Sequence, residues 1–418
     1  MGAIEMAKPS IAILGINYSP EPTGIAPYTS GLASGLVGKG YQVRVLTGYP
    51  HYPSWSVHPG YPGRSMAENL GGVDVMRYRH YVPSRTSSLG RILMEASFAA
   101  RLLPARLERP DVIVSVSPAL LATAAALARA RSTRGRPAIG VWVQDLYGLG
   151  VVETGTMSGR PAAATSALES RVLRQADGVA VIHERFRNHI IHKLGVSPSR
   201  ATVIRNWSHV AMDPLDDKAS VREALGWKSN ETVVLHAGNM GAKQGLENVV
   251  GAARLAETRG LPVKFVLLGD GNQRANLERL SAGLSNIDFV EPLPDSQFFA
   301  ALQAADVLLV NERASLSEMA VPSKLTSYFA SGRPVLAATD AKSVTAGEIE
   351  SSEAGLLVEP ENPQSLLSGV IKLSENPDLA ARLGVAGQKF RAENLTMDKA
   401  VDDFEDWILR LNRGRKSR

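Results

Sequence analysis

The sequence predicts an α/β protein with two Rossmann-like, doubly wound domains, and three observations carry that reading. Its 418 residues exceed what one hydrophobic core normally supports. Short apolar, β-branched runs alternate with amphipathic stretches of helical period, the rhythm of a parallel sheet whose crossovers are helices. That rhythm stops at Asn206-Trp207 and restarts at Thr232.

In the first half the strand-like runs are Ile11 to Ile16, Gln42 to Thr47, Val112 to Val116, Ala138 to Val143 and Gly178 to Ile182. In the second half they are Thr232 to Ala237, Val263 to Leu268, Ile287 to Val290, Val307 to Val310, Pro334 to Ala338 and Gly355 to Val358. The uncharged run Val112 to Ala128 approaches membrane-spanning length. Pro118 interrupts it, however, and its character changes from β-branched to Ala/Leu-rich, so it reads as buried strand, turn and buried helix. Ser208 to Asp217, with its Pro and paired Asp, reads as a linker. The expected divisions are 1–207, 208–396 and a closing segment 397–418 that holds a helix from about Asp398 to Asn412 and a basic tail.

Hydrophobic residues at 44% and charged residues at 21% fit a soluble globular enzyme and exclude both a disordered chain and an integral membrane protein. The absence of cysteine excludes disulfides and thiolate chemistry. The apolar run behind Lys8 is too short for a signal-peptide core, which makes a cytoplasmic location the expectation.

Charge is unevenly placed. Residues 1–210 carry 23 Lys+Arg against 12 Asp+Glu, a balance of +11, whereas residues 211–418 carry 23 against 29, a balance of −6. A basic first half suits an anionic membrane surface or a pyrophosphate-linked lipid. No nucleic-acid module is recognisable, so nucleic acid is not an expected partner. Between Ser84 and Arg106, Leu89, Ile92, Leu93, Phe98, Leu102 and Leu103 interleave with Arg85, Arg91, Arg101 and Arg106. This is either a basic amphipathic helix at a membrane surface or a helix packing its apolar face on the sheet.

In open parallel sheets, ligands bind beyond the carboxyl ends of strands, where glycine turns let backbone approach phosphates at helix N-termini. Both halves carry such turns. Gly15-Ile16-Asn17-Tyr18 leads to Pro22-Thr23-Gly24-Ile25 before a helix starting near Pro27. In the second half, Gly238-Asn239-Met240-Gly241-Ala242-Lys243-Gln244-Gly245 and Gly269-Asp270-Gly271-Asn272 each follow a strand.

Asn17-Tyr18-Ser19-Pro20-Glu21, Gly24-Ile25, Tyr52-Pro53, Gln144-Asp145-Leu146, Asn206-Trp207, Gly238 to Gly241 with Gln244-Gly245-Leu246, and Pro322-Ser323-Lys324-Leu325 together resemble the retaining glycosyltransferases of family 4, in their colanic-acid and O-antigen branch. The resemblance implies the GT-B architecture, with an interdomain cleft and a closing helix that returns to the first domain. It implies transfer from a nucleotide-sugar donor, UDP- or GDP-linked, to a glycan or lipid-pyrophosphate-linked polysaccharide precursor, with no cofactor or metal ion. It also implies that the leaving phosphate assists deprotonation of the acceptor.

The same resemblance assigns the donor diphosphate to the Gly24 loop and to Gly238, Asn239, Gly241 and Lys243, with Gly271 beside them. The family's usual Arg is here Asn239 and its usual Lys is Gln244, so Lys243 and Lys324 supply the positive charge. Of two family glutamates eight positions apart, Glu318 lies near the first and is the sugar-hydroxyl ligand, helped by backbone amides of Met319, Ala320 and Val321. Ser327 occupies the second position and, with Lys324, serves the nucleoside side.

Asp145 is either a polar group near the reacting centre or a helix or turn cap. His51, Tyr52 and Trp55 line the acceptor side or form an aromatic turn packed on its own domain. His183, His189 and His192 lack ligand geometry. No Asp-x-Asp follows a strand, and Asp216-Asp217 and Asp402-Asp403 sit in linker-like or terminal contexts, so no metal site is expected. Two other readings stay open: a sugar-nucleotide epimerase, and a degenerate transferase that binds nucleotide or scaffolds other enzymes.

Overall fold

A computed structural model of the chain describes residues 8–22, 24–84, 88–133, 135–146, 160–208, 217–314 and 324–416. The chain divides into two compact units, Met1–Trp207 with Met397–Arg418, and Ser208–Thr396.

The first unit runs β1 (Ile11–Leu14), α1 (Ala26–Gly38), β2 (Val43–Gly48), β3 (Ser65–Leu70), β4 (Val73–Tyr78), α2 (Ser88–Leu102), β5 (Val112–Ser117), α3 (Leu120–Ser132), β6 (Ala138–Val143), α4 (Arg160–Gln175), β7 (Gly178–Val181), α5 (Glu184–His192) and β8 (Ala201–Val203). Its sheet has the order β3-β4-β2-β1-β5-β6-β7-β8. Pairing is parallel except between β3 and β4. β5 and β6 are buried along their whole length, as strands covered by helices on both faces must be. The run Val112 to Ala128 accordingly becomes a buried strand and a helix, and among the described residues no helix is long and apolar enough to cross a membrane.

The second unit runs α6 (Lys218–Ala224), β9 (Thr232–Ala237), α7 (Glu247–Thr258), β10 (Val263–Leu268), α8 (Arg274–Leu280), β11 (Ile287–Val290), α9 (Asp295–Ala304), β12 (Val307–Asn311), α10 (Lys324–Ser331), β13 (Val335–Ala338), α11 (Val344–Ser352), β14 (Gly355–Val358), α12 (Pro363–Ser374) and α13 (Pro377–Asn394). All its strands pair in parallel, in the order β11-β10-β9-β12-β13-β14. Local chemistry starts these helices where they start. The Asp217 carboxylate accepts from the Ala219 and Ser220 N–H groups, and the Ser343 hydroxyl from the Ala346 N–H, satisfying donors that the first helical turn leaves unpaired. Pro363 sits at a first-turn position where it costs no hydrogen bond.

The last helix, α14 (Met397–Lys416), belongs to the first unit. Its buried face of Val401, Phe404, Trp407, Ile408 and Leu411 packs on α1 and β6. The approach is close enough that side chains on the receiving surface would block it. A Cβ at Gly140 would lie 2.3 Å from Trp407 Cη2, and one at Gly35 would lie 2.5 Å from Val401 Cγ2. Trp142 meets Phe404 edge-on with ring centroids 4.6 Å apart. Trp407 is 2% exposed, so Trp407→Ala is expected to cost about 3–5 kcal/mol and to lower the melting temperature of the first unit, checked by differential scanning calorimetry.

Candidate functional site

In the second unit the chain leaves β9 in one direction for β10 and β11, while β12, β13 and β14 extend the sheet in the other. The switch point between β9 and β12 is where parallel sheets leave a crevice at their carboxyl ends. Gly238, Asn239, Gly241, Lys243, Gly271 and Lys324 all lie at that end of the second unit.

Two turns interlock there. The Gly238 N–H donates to Leu268 O at 2.8 Å, Met240 N–H to Asp270 O at 2.8 Å, and Gln273 N–H to Met240 O at 2.9 Å. Gly269 adopts φ +134°, and a Cβ on it would lie 2.1 Å from the Gly238 carbonyl oxygen. Gly271 packs as closely, since its Cβ would lie 2.5 Å from Met240 O. The Gly241 N–H donates to Gln244 Oε1 at 3.1 Å. The amides of Gly238 and Gly241 are therefore committed within the protein, and these glycines contribute space and turn geometry. Asn239 is exposed.

Asn311, buried at the end of β12, donates to Gln244 O at 2.7 Å and Gly245 O at 3.0 Å and accepts from Asn248 Nδ2 at 2.8 Å. Arg313 adds Nε to Ala242 O at 2.7 Å. These bonds fix the backbone of the 3-10 turn Ala242–Gln244, on which the Lys243 side chain is exposed.

Lys324 opens α10. Its ammonium donates to His236 Nε2 at 3.4 Å and lies 3.7 Å from the position of a Cβ on Gly238. Burial, reinforced by the Lys324 charge, pushes the His236 pKa well below the ordinary imidazole value. The ring is therefore neutral, with its Nε2 lone pair facing the lysine. Ser327 is buried one turn further along α10. Beside it, the Tyr328 hydroxyl accepts from the Ala237 N–H at 2.9 Å and anchors the helix to β9. Glu318, Met319, Ala320 and Val321 lie outside the described residues.

Gly24 and Asp145 belong to the first unit, each beyond the carboxyl end of a strand. Gly24 has φ +69° and its Cβ position is 3.4 Å from the Tyr52 ring. Glu21 organises this corner. Its buried carboxylate accepts from the His51 and Tyr52 N–H groups at 2.8 and 2.9 Å and from Asn17 Nδ2 at 2.9 Å. It thereby joins the Asn17 to Glu21 run to the Tyr52-Pro53 run. Asp145 is exposed after β6, whereas its neighbour Gln144 pairs with Asn206 through both amide groups at 3.2 and 2.7 Å. Trp207 is buried against Trp142. His183 caps α5, accepting from the Phe186 N–H at 3.1 Å.

His80 packs against His51, ring centroids 4.9 Å apart, and burial followed by the neighbouring His51 lowers its pKa to about 4. The native state then binds its proton later than the unfolded chain as pH falls. Stability contributed by neutral His80 is complete above pH 6.5 and is lost between pH 6.5 and about 4, by on the order of 3 kcal/mol. Urea midpoints across that range are expected to fall, and to fall less steeply in His80→Gln.

Glu21, His236, Asn311 and the buried Glu312, which accepts from Thr345 Oγ1 at 2.8 Å, were not among the candidate residues. A polar residue ending an apolar strand was the available signal for His236, Asn311 and Glu312. Among the described residues, no group of three or more His, Cys, Asp or Glu is placed to hold a metal ion. A cavity of about 850 Å³ opens at the opposite, amino end of the second sheet, lined by Lys218, Arg222, Trp227, Asp306 and Arg333, and does not include the glycine turns.

Residues 23–207 match the Glycosyl transferase 4-like domain family and residues 217–390 the Glycosyl transferases group 1 family. The chain is 32% identical to a protein named as a colanic acid biosynthesis glycosyl transferase, WcaI, of Escherichia coli (strain K12), over 86% of this chain and 91% of that one. It is 25% identical to a GDP-mannose-dependent monoacylated phosphatidylinositol monomannoside mannosyltransferase of Corynebacterium glutamicum, over 41% of this chain and 46% of that one. Among solved structures, Anabaena HepE in complex with UDP matches with TM-score 0.68 at 17% identity, over 96% of this chain and all of that one.

Proposed function

This chain belongs to glycosyltransferase family 4, and on that premise we propose that it passes a sugar from a UDP- or GDP-linked donor to a glycan or lipid-pyrophosphate-linked polysaccharide precursor, with retained anomeric configuration and no metal ion. The observation that carries the reading is the Lys324 ammonium, held over Gly238 by neutral His236 at the switch point of the second sheet.

In this reading the nucleoside diphosphate lies across the Gly238 and Gly269 turns, with Lys324 and Lys243 at its phosphates. The bond from the sugar C1 to the β-phosphate oxygen breaks as the acceptor oxygen bonds to C1 on the same face. The acceptor proton passes to the departing phosphate oxygen. Negative charge grows on that phosphate, and a fixed ammonium stabilises it most where it grows most. With a lysine in that role, no divalent ion is required. Glu318 and the Met319, Ala320 and Val321 amides hold the donor sugar, and Ser327 serves the nucleoside side.

The relatives named above are transferases, which favours transfer over epimerisation or scaffolding. The reading includes a cytoplasmic site of action at the inner face of the plasma membrane, supported by the +11 balance of residues 1–210.

Proton NMR of the product formed with a panel of lipid-pyrophosphate-linked sugars, in chelator, tests the stereochemical and metal clauses together. Retained anomeric coupling is the expected result. Inverted coupling overturns the same-face mechanism, and transfer only after divalent metal is restored overturns metal independence.

A further inference from the structure

We propose that the outward face of α2 docks the protein on an anionic lipid bilayer, its leucines entering the headgroup boundary and the arginines at its end meeting lipid phosphates. Seven large hydrophobic side chains stand exposed among the described residues, and four of them, Tyr81, Leu89, Leu93 and Leu103, fall in this one segment. Leu89 is 68% exposed, Leu93 48% and Leu103 47%.

The helix is apolar on two faces. Phe98 and Leu102 are buried in the core beside α3, which is what the fold requires of the helix. Leu89, Leu93, Ala96, Ala100 and Leu103 then recur at alternate spacings of four and three, forming one continuous stripe on the other side. Ala100 is exposed and Ala96 partly so, which keeps the stripe shallow and open between its leucines. Tyr81 is tied to the same helix, its backbone N–H donating to Ser97 Oγ at 2.8 Å. A solvated row of leucines is a liability unless something covers it.

Charge selects what covers it. Arg101, Arg106 and Arg109 are exposed along and just beyond the end of α2. Between residues 75 and 110 the sequence holds two carboxylates, of which Glu95 is buried and Glu108 is paired with Arg44. A second copy of the chain meeting this face about a twofold axis would bring a second arginine rim against the first. Anionic headgroups neutralise that rim while the stripe leaves water, and long arginine stems allow both at once.

The inference does not rest on the transfer reading, because vesicle binding needs neither donor nor acceptor. The test is cosedimentation of the full chain with vesicles of phosphatidylcholine alone and of an equal mixture of phosphatidylcholine and phosphatidylglycerol. The mixture is expected to retain the protein, with retention falling as salt rises. The exposed double variant Leu89→Gln/Leu93→Gln, checked for an unchanged melting curve, is expected to reduce the partition coefficient by about tenfold. Arg101→Gln/Arg106→Gln is expected to remove most of the preference for the anionic mixture. Equal retention on neutral and anionic vesicles overturns the proposal, as does undiminished binding by the leucine variant. So does a dimer in sedimentation equilibrium that the leucine variant dissociates.

Discussion

Lys324→Ala is expected to lower turnover by about two to three orders of magnitude while leaving the protein folded. The ammonium stands at the first position of α10, over the Gly238 turn, and neutral His236 orients it without adding charge of its own. On the proposed function, removing it takes away a positive group that meets the diphosphate when its charge is largest, so the loss falls on turnover more than on donor affinity. His236 Nε2 loses its donor in a fully buried position, which costs about 1 kcal/mol of stability. Lys324→Arg is not a conservative rescue, because a longer, planar guanidinium cannot reproduce a point charge seated between His236 and Gly238. Lys243→Ala is expected to slow turnover by a smaller factor, since its side chain is exposed and its charge is screened by solvent. Steady-state kinetics beside urea denaturation separate these effects.

Gly269→Ala is expected to be the most damaging single substitution at the glycine turns. At φ +134° an L-residue is strained whatever the space, and the space is absent, because its Cβ would lie 2.1 Å from Gly238 O. Strain and overlap together cost about 4 kcal/mol. The turn can relieve the overlap by moving the Gly238 carbonyl, which disturbs the Gly238 N–H bond to Leu268 and shifts the backbone of the interlocked turns. Scanning calorimetry is expected to show a large loss in the transition of the second unit, and residual folded protein is expected to bind donor weakly. A variant that melts and binds like the parent removes the interlocked turns from the account.

The second sheet is legible because its strands are largely apolar runs set between turns, even where, as in β11, they are only partly buried: the pattern places Thr232 to Ala237, Val263 to Leu268 and Ile287 to Val290 at the bounds that β9, β10 and β11 occupy. In the first unit β3 and β4 were not read. β3, Ser-Met-Ala-Glu-Asn-Leu, is a largely exposed antiparallel edge strand with no apolar run, and β4 alternates buried Val73 and Val75 with exposed Asp74 over too few residues to announce itself. β8 is three residues long. The run Ile11 to Ile16 was read two residues past the end of β1, because Gly15 and Ile16 are apolar to pattern analysis while the chain is already turning.

Glycine turns after strands showed in the sequence as candidate phosphate sites, since both the glycines and their place in the rhythm are local. Their partners did not. His236 and Lys324 are 88 positions apart and meet only because β9 and α10 converge at one end of the sheet. Glu21 reaches His51 and Tyr52 from the far end of α1 in the chain, so the two motif runs it joins look independent in sequence.

On the proposed function, the second unit holds a nucleotide sugar with lysine rather than metal. Titration calorimetry of the full chain against UDP- and GDP-sugars, with chelator present, tests it most directly. One nucleotide class is expected to bind in chelator, and Lys324→Ala is expected to weaken that binding by about tenfold, a modest share of the turnover loss. A folded chain that binds neither class, or binds only once a divalent ion is supplied, would contradict it.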